Sequence, residues 1–471
     1  MLEPMSAGAG PDPASVPEGK PLSRRRKLAA LAGALRFERE LQRSERLDRE
    51  QAGALRQSRL DELVADIRSR SPWWQARLPE GPARLEEMPV MGKQELAESF
   101  DEMVTLPGLE REPLLEHLRR CDGDAVLPGG IRVMATSGSS GVPGLFAYDE
   151  IAWRALLAQT VRATSWVGLK PSLPRKRLAA IAAANPAHMT RRISECLDIG
   201  MHRVLRLGVI EPIERIVPAL QEFQPDLVVT FPSLLPQLAD AAAAGELRIS
   251  PFAVQTISEP LTPAMRSLCE EAFGQRPYDY FGSTEGLFAS ECDERDGMHL
   301  YEDCTIVEAV DSEGRPVPDG EPAARILVTN LFNRVMPLIR VEISDSVTVA
   351  AGECACGRTL RRLQSVDGRD NDTLTLAGAR VHPQRFGLLG RDEQVRGYQV
   401  VQEGDGVRLR IVLAPGADAP TALPRLADAI RAELAAAGVP DPRVEADAVP
   451  ELERASAGKI KQVIAAPPIA P

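Results

Sequence analysis

Lysine is scarce in this chain. Of 56 basic residues only seven are lysines, at positions 20, 27, 93, 170, 176, 459 and 461, and none lies between Lys176 and Lys459. An Arg-favouring codon bias accounts for the scarcity, but a lysine that persists in such a background is a candidate for work that needs a compact point charge rather than a planar fork. Also missing is any apolar run near the roughly 18 to 20 residues that span a bilayer. The opening MLEPMSAGAGPDPASVPEGK lacks the basic-then-apolar order of a secretion signal, so a cytoplasmic protein is expected. Seven scattered cysteines, an odd number, make no disulfide framework, which leaves them reduced or metal-bound. Positive charge is in deficit, 56 Lys and Arg against 67 Asp and Glu for a net −11. That balance argues against a protein that coats nucleic acid and favours a small or locally neutralised ligand.

What is present is the composition of a globular protein with a large core. The chain has 471 residues, 44% hydrophobic and 26% charged. That length suggests roughly two to four domains. Residues 1–22, rich in Pro, Gly, Ser and Ala, are expected to be poorly ordered. From Arg24 to Arg70, Leu and Ala recur three and four apart in a charged background, which predicts one long packed or solvated helical stretch. From about 90 to 345, helical patterns alternate with short apolar runs such as RILVTNL and DLVVTFPSLL, the signature of an α/β layer architecture. No internal repeat interrupts it. Near residue 370 a small α+β unit begins. GYQVVQEGDGVRLRIVLAPG reads as a hairpin, PTALPRLADAIRAELAAAG as an amphipathic helix ending at Gly438, and DPRVEADAVPEL as a further strand.

Four segments could carry chemistry. VMATSGSSGVPGLFAY interleaves hydroxyls with glycines, which allows close approach to an anion and supplies donors to phosphate oxygens. Val142 stands where a Walker loop has lysine, and the spacing is not that of a nucleophile elbow. In YDYFGSTEGLFASEC, Glu285 follows a Gly-Ser-Thr turn where a carboxylate could hold magnesium. VTNLFNRVMPLIRVEISD reads as a strand-like run ending at Asp345, an acid able either to bind sugar hydroxyls or to end the strand in a turn. ERASAGKIKQV places Lys459 beside a glycine turn that would project it into a cleft.

In this order the segments resemble the adenylate-forming superfamily, specifically its phenylacetate-CoA ligase-like branch, over about residues 90 to 465. SEPLT at 258–262 is similar to the adenine-side turn, FGSTE at 281–285 to the aromatic-Gly-x-Thr-Glu motif, and CACGRTLRRLQSVDGRDND at 354–372 to the stretch leading into the hinge. The resemblance implies an adenylation domain over 23–368, a hinge at 369–372 and a mobile C-terminal domain over 373–471. It implies that a small, aromatic or otherwise apolar carboxylic acid attacks the α-phosphate of MgATP, and that coenzyme A then takes the acyl group. Ser137, Gly138, Ser139, Ser140 and Gly141 would hold the β and γ phosphates, Thr284 the α-phosphate, Glu285 magnesium and Asp345 the ribose. Glu259 and Pro260 would border adenine, with Phe281, Gly282 and Ser283 completing the nucleotide side and Arg369 touching ribose or phosphate. Lys459 would be the catalytic ammonium. His188 would gate the acid site, although a histidine in such a loop is more often a packing residue. Asn371 stands where related enzymes have the hinge acid.

Cys292, His299, Cys354 and Cys356 offer three thiolates and an imidazole, enough to close a tetrahedral structural zinc site, although the spacing is not a common finger pattern. The same positions recur in the branch that the chain resembles, which implies zinc; Cys121, Cys196, Cys269 and Cys304 are then ordinary thiols. Two other readings stand beside acid-thiol ligation. One delivers the adenylate to an amine or a carrier-protein thiol, and the other is a catalytically silent, zinc-stabilised nucleotide-binding or scaffold protein. The identity of the acid and the oligomeric state, a homodimer among the options, are not legible.

Overall fold

Short runs of Val, Ile, Leu and Ala form five parallel strands, in spatial order Arg203–Gly208, Arg177–Ala182, Leu227–Thr230, Ala253–Ile257 and Tyr278–Gly282. The computed structural model describes residues 19–121, 124–136, 144–183, 185, 187–369, 372–381, 383–455 and 458–465. Parallel neighbours require crossovers. Helices Met189–Leu197, Ile213–Phe223, Leu235–Ala243 and Pro263–Phe273 supply them. In Ile213–Phe223 the buried Ile216, Val217 and Leu220 recur at helical spacing and pack on the sheet core.

Beyond Tyr278–Gly282 the same ten-stranded sheet turns antiparallel, through Phe288–Glu291, Met298–Leu300, Arg362–Arg369, Asp345–Val349 and Pro322–Ala323. Tyr278–Gly282 is therefore the last parallel strand, and the turn after it lies where the sheet changes sense. Three strands, Thr305–Val310, Arg325–Asn330 and Val341–Ile343, make a separate sheet. Arg132–Ala135 and Leu145–Tyr148 form a buried hairpin. Among the described residues no helix is long and apolar enough to cross a membrane.

Three expectations need correction. The helical stretch from Arg24 to Arg70 is two helices, Arg24–Ser44 and Arg49–Arg70. Asp48 and Gln51 form a reciprocal capping box that starts the second. Between them Glu45 is buried against Arg162 and Arg358, a tertiary demand invisible in local periodicity. Asp345 opens a strand rather than ending one. The run before it breaks at Asn330, whose Oδ1 accepts the amides of Phe332 and Asn333, while Asn333 Oδ1 accepts that of Met336. In the segment 1–22, Lys20–Pro21 pairs antiparallel with Ala125–Val126. Gly19 fits there because a Cβ would come within 2.6 Å of the His117 ring.

The C-terminal segment has its own core, from Leu374 through Leu409, Ile430 and Val444 to Val463. Val395–Glu403 and Gly406–Leu413 form the expected hairpin, Ala419–Ala436 is the helix, and Val444–Ala448 adds to the sheet in parallel. Val463–Ile464 joins the other edge, so the stretch following Lys459 is tied into this sheet.

Candidate active site and metal centre

The carboxyl ends of the parallel strands gather the candidate chemistry on one rim. Their loops bring up His188, Val209 and Ile210, Ser233, Glu259 and the turn Ser283–Gly286. Ligands of parallel α/β sheets bind outside this edge, because crossover loops diverge there and leave a crevice. Lys459 arrives at the same rim from the C-terminal unit. Ile460 N donates to Glu259 Oε1 at 2.6 Å, and the Gly458 Cα lies against Val209 and Ile210. Burial, and then the charge of Lys459, hold His188 down to about 4, so its imidazole is neutral near pH 7.

The Thr284–Glu285 turn is fixed from two sides. The Tyr148 hydroxyl donates to the Thr284 carbonyl at 2.6 Å, and Asn330 Nδ2 donates to the Glu285 carbonyl at 3.0 Å. Gly286, at φ +95°, is required, since a Cβ would stand 2.2 Å from Asn330 Nδ2. Glu285 itself is buried. The Ser283 hydroxyl is buried without a hydrogen-bond partner among the described residues, a donor that suits a ligand oxygen. Phe281 and Gly282 finish the strand leading into this turn, opposite Ala289 and Phe288. Burial pushes the Tyr148 hydroxyl far above its ordinary value, and the neighbouring Glu285 charge adds to this, so Tyr148 remains a donor.

Asp345 and Arg369 are cross-strand partners in the backbone register of the sheet. The Glu259 carboxylate turns toward the C-terminal unit, accepting Ser233 N at 3.1 Å as well as Ile460 N. Burial raises its pKa, while these donors and Arg454 oppose the rise. Pro260, the other expected adenine neighbour, is exposed. Ser137, Gly138, Ser139, Ser140, Gly141, Val142 and Asn371 lie outside the described residues. Their flanks are fixed, since Thr136 N donates to Gly144 O at 2.9 Å and Gly144 N to Thr136 Oγ1 at 3.0 Å. Tyr148, Asn330, Ser233 and Arg454 had not been singled out from sequence. Tyr148 closes the hydroxyl-glycine segment and was legible by position; the other three carry no local signal.

Cys292, His299, Cys354 and Cys356 converge, their ligand atoms all within 4.8 Å of one another. Cys292 Sγ and Cys354 Sγ are 3.7 Å apart, and Cys356 Sγ and His299 Nε2 3.4 Å. Ligands on tetrahedral zinc, with bonds of about 2.3 Å to sulfur and 2.0 to 2.1 Å to nitrogen, stand about 3.5 to 3.8 Å apart. His299 Nδ1 faces the Leu360 carbonyl at 2.9 Å, which as an N–H donor leaves Nε2 for a metal. The set is buried except for half-buried Cys356, with the Trp166 ring edge-on to His299 at 5.7 Å, so the donors fit a closed site. Burial lowers the His299 pKa to about 4, which keeps the ring neutral and able to ligate.

No protein-family model matches the chain. It is 28% identical over 389 residues to a phenylacetate-coenzyme A ligase of Thermus thermophilus, covering 77% of this chain and 80% of that one. A phenylacetate-coenzyme A ligase of Escherichia coli is 29% identical over 279 residues, 54% of this chain and 59% of its own. Among solved structures, 2-hydroxyisobutyryl-CoA ligase in the postadenylation state with 2-HIB-AMP superposes with a TM-score of 0.69 at 23% identity, covering 90% of this chain and 91% of that one. The sheet and the separately cored C-terminal unit thus share the fold of that ligase. In sequence the chain is similar, at 28 and 29% identity, to phenylacetate-coenzyme A ligases.

Proposed function

We infer that this protein is an AMP-forming acid-thiol ligase. A carboxylate oxygen attacks the α-phosphate of ATP, pyrophosphate leaves, and the acyl-adenylate passes its acyl group to the thiol of coenzyme A with release of AMP. The observation that carries this reading is the delivery of the Lys459 loop to the carboxyl rim of the parallel strands, where Ile460 meets Glu259. Charge develops on the α-phosphate oxygens as pyrophosphate departs, and a positioned ammonium lowers the cost of that charge more than it helps the bound substrate. Thr284 would hold the α-phosphate, Glu285 the magnesium that neutralises the phosphates, Asp345 the ribose, and Arg369 ribose or phosphate. The Ser137–Gly141 segment would cradle the β and γ phosphates, with Phe281, Gly282, Ser283 and Pro260 on the nucleoside side. The unit over 373–471 would swing about 369–372 between the two steps, so that one rim serves both.

The substrate acid in this reading is small and aromatic or otherwise apolar, in keeping with the phenylacetate ligases among the relatives, and the reaction takes place in the cytoplasm. Cys292, His299, Cys354 and Cys356 would hold one structural zinc, the four filling its coordination and leaving no open position. The test is incubation of the pure chain with MgATP and a panel of acids, with and without coenzyme A. Pyrophosphate release with at least one acid and thioester formation only with coenzyme A are expected. A panel of aromatic, branched and short-chain acids that releases no pyrophosphate overturns the reading. Release without a coenzyme A product points to an amine or carrier thiol as acceptor.

A further inference from the structure

Both neighbours of Lys459 in sequence are held by hydrogen bonds to side chains, Gly458 by Arg454 and Ile460 by Glu259. Arg454 Nη1 donates to the Gly458 carbonyl at 2.9 Å and to Ser233 Oγ at 2.8 Å, so one guanidinium bridges the lysine loop and the rim of the large unit. Ser233 N in turn donates to Glu259 Oε2 at 3.1 Å, and Glu259 Oε1 accepts Ile460 N at 2.6 Å. The chain of contacts closes on itself: 458, 454, 233, 259, 460. None of these bonds uses the Lys459 ammonium. They act on the backbone at either side of it.

The parts are built for this contact. Ser258, directly before Glu259, is a non-glycine residue at φ +72°, a strained left-handed conformation at the end of the strand that carries the carboxylate to the contact. Gly458, at φ +82°, presses so closely on the Val209–Ile210 corner that a Cβ would come within 2.4 Å of Val209 Cγ1. The loop is further closed by Ala455 N donating to Lys459 O at 2.8 Å and Gly458 N to Ala455 O at 2.7 Å. At the outer edge of the same contact Arg396 of the C-terminal unit pairs with Asp240 of the large unit at 2.6 Å.

We propose that Arg454, Ser233 and Glu259 form a latch that seats the Lys459 loop on the parallel-strand rim and so positions the ammonium for the adenylation step alone. The proposal rests on the ligase reading above. A loop that must leave for the second step cannot be fixed covalently or by a large apolar contact. Two charged groups bonded to backbone atoms and one hydroxyl suit a contact that is made and broken each turnover, because water replaces each bond when the units part. Arg454, Ser233 and Glu259 are positioning residues in this scheme.

The experiment uses the full chain and two substitutions, Arg454→Met and Ser233→Ala, neither of which removes a group that would touch substrate. First, acid-dependent pyrophosphate release is compared with thioester formation from supplied acyl-adenylate and coenzyme A. Adenylation is expected to fall about tenfold or more in Arg454→Met, from the loss of charge-assisted hydrogen bonds, and less in Ser233→Ala, with thioester formation within about twofold of the native rate. A merely structural role lowers both steps together, and that result, or no change in either, overturns the proposal. Second, amide exchange across residues 458–462 is followed by mass spectrometry. The Ile460 amide is expected to exchange about tenfold faster or more in both variants. Unchanged exchange overturns the latch even if the native chain adenylates no acid, whereas a native chain that adenylates nothing but shows faster exchange in the variants overturns only the ligase reading.

Discussion

Tyr148 shows how a single hydroxyl couples two parts of the rim. It ends the hairpin that flanks the hydroxyl-glycine segment, and it donates to the Thr284 carbonyl in the turn that bears Glu285. Replacing it with phenylalanine keeps the buried ring and removes one bond, leaving a carbonyl without that partner. Such a loss is worth about 1 to 1.5 kcal/mol. Tyr148→Phe is therefore expected to lower kcat/KM for ATP in adenylation roughly tenfold while leaving the Tm within a few degrees. Steady-state kinetics with varied ATP checks this, and unaltered ATP kinetics would show that the turn holds its shape without Tyr148. Lys459 belongs to the same scale. Its place, with Lys461, after a long lysine-free stretch of an arginine-rich chain was legible in the sequence, as were Thr284 and Glu285. Ser233 and Arg454, 221 residues apart, were not, since only the tertiary contact of two units makes them neighbours.

At the scale of elements, strand pairing explains the cluster of three cysteines and a histidine. Met298–Leu300 pairs with Arg362–Arg369 in a register that opposes His299 to Arg362, and this draws the loop carrying Cys354 and Cys356 over Cys292 at the end of Phe288–Glu291. The ligand types were readable as residue types and from the resemblance, not from a finger-like spacing; their convergence depends on that register. One zinc per chain is expected on metal analysis of purified protein. Cys354→Ser is expected to lose it and to lower Tm by about 5 °C or more, because metal bound only to the folded state stabilises that state. Absence of zinc, or full zinc content in Cys354→Ser, contradicts the assignment. The helix pair and the hairpin, helix and strand of the C-terminal unit followed hydrophobic periodicity. The break at Glu45 and the fold-back at Asn330 did not, because a buried carboxylate and two asparagine side chains decide them.

Across the whole molecule, the large unit and the C-terminal unit, each with its own core packing, meet at one rim. The large unit supplies a half-parallel, half-antiparallel sheet whose change of sense lies beside the Thr284–Glu285 turn, and the C-terminal unit packs around its own core and extends the Lys459 loop to that edge. The alternation of helices and apolar runs made the layered architecture legible, and the ordered segments pointed to the same ligases that the chain is similar to. The identity of an acid substrate was not legible, since any pocket for it would be built from side chains that only the fold assembles. The central claim is that the acid's own oxygen attacks the α-phosphate under the influence of Lys459. Turnover of an acid labelled with oxygen-18 in its carboxylate, with MgATP and coenzyme A, tests it most directly. One labelled oxygen per AMP is expected, with that transfer nearly abolished in Lys459→Ala; label in pyrophosphate or inorganic phosphate, or AMP formed without label, would contradict the account.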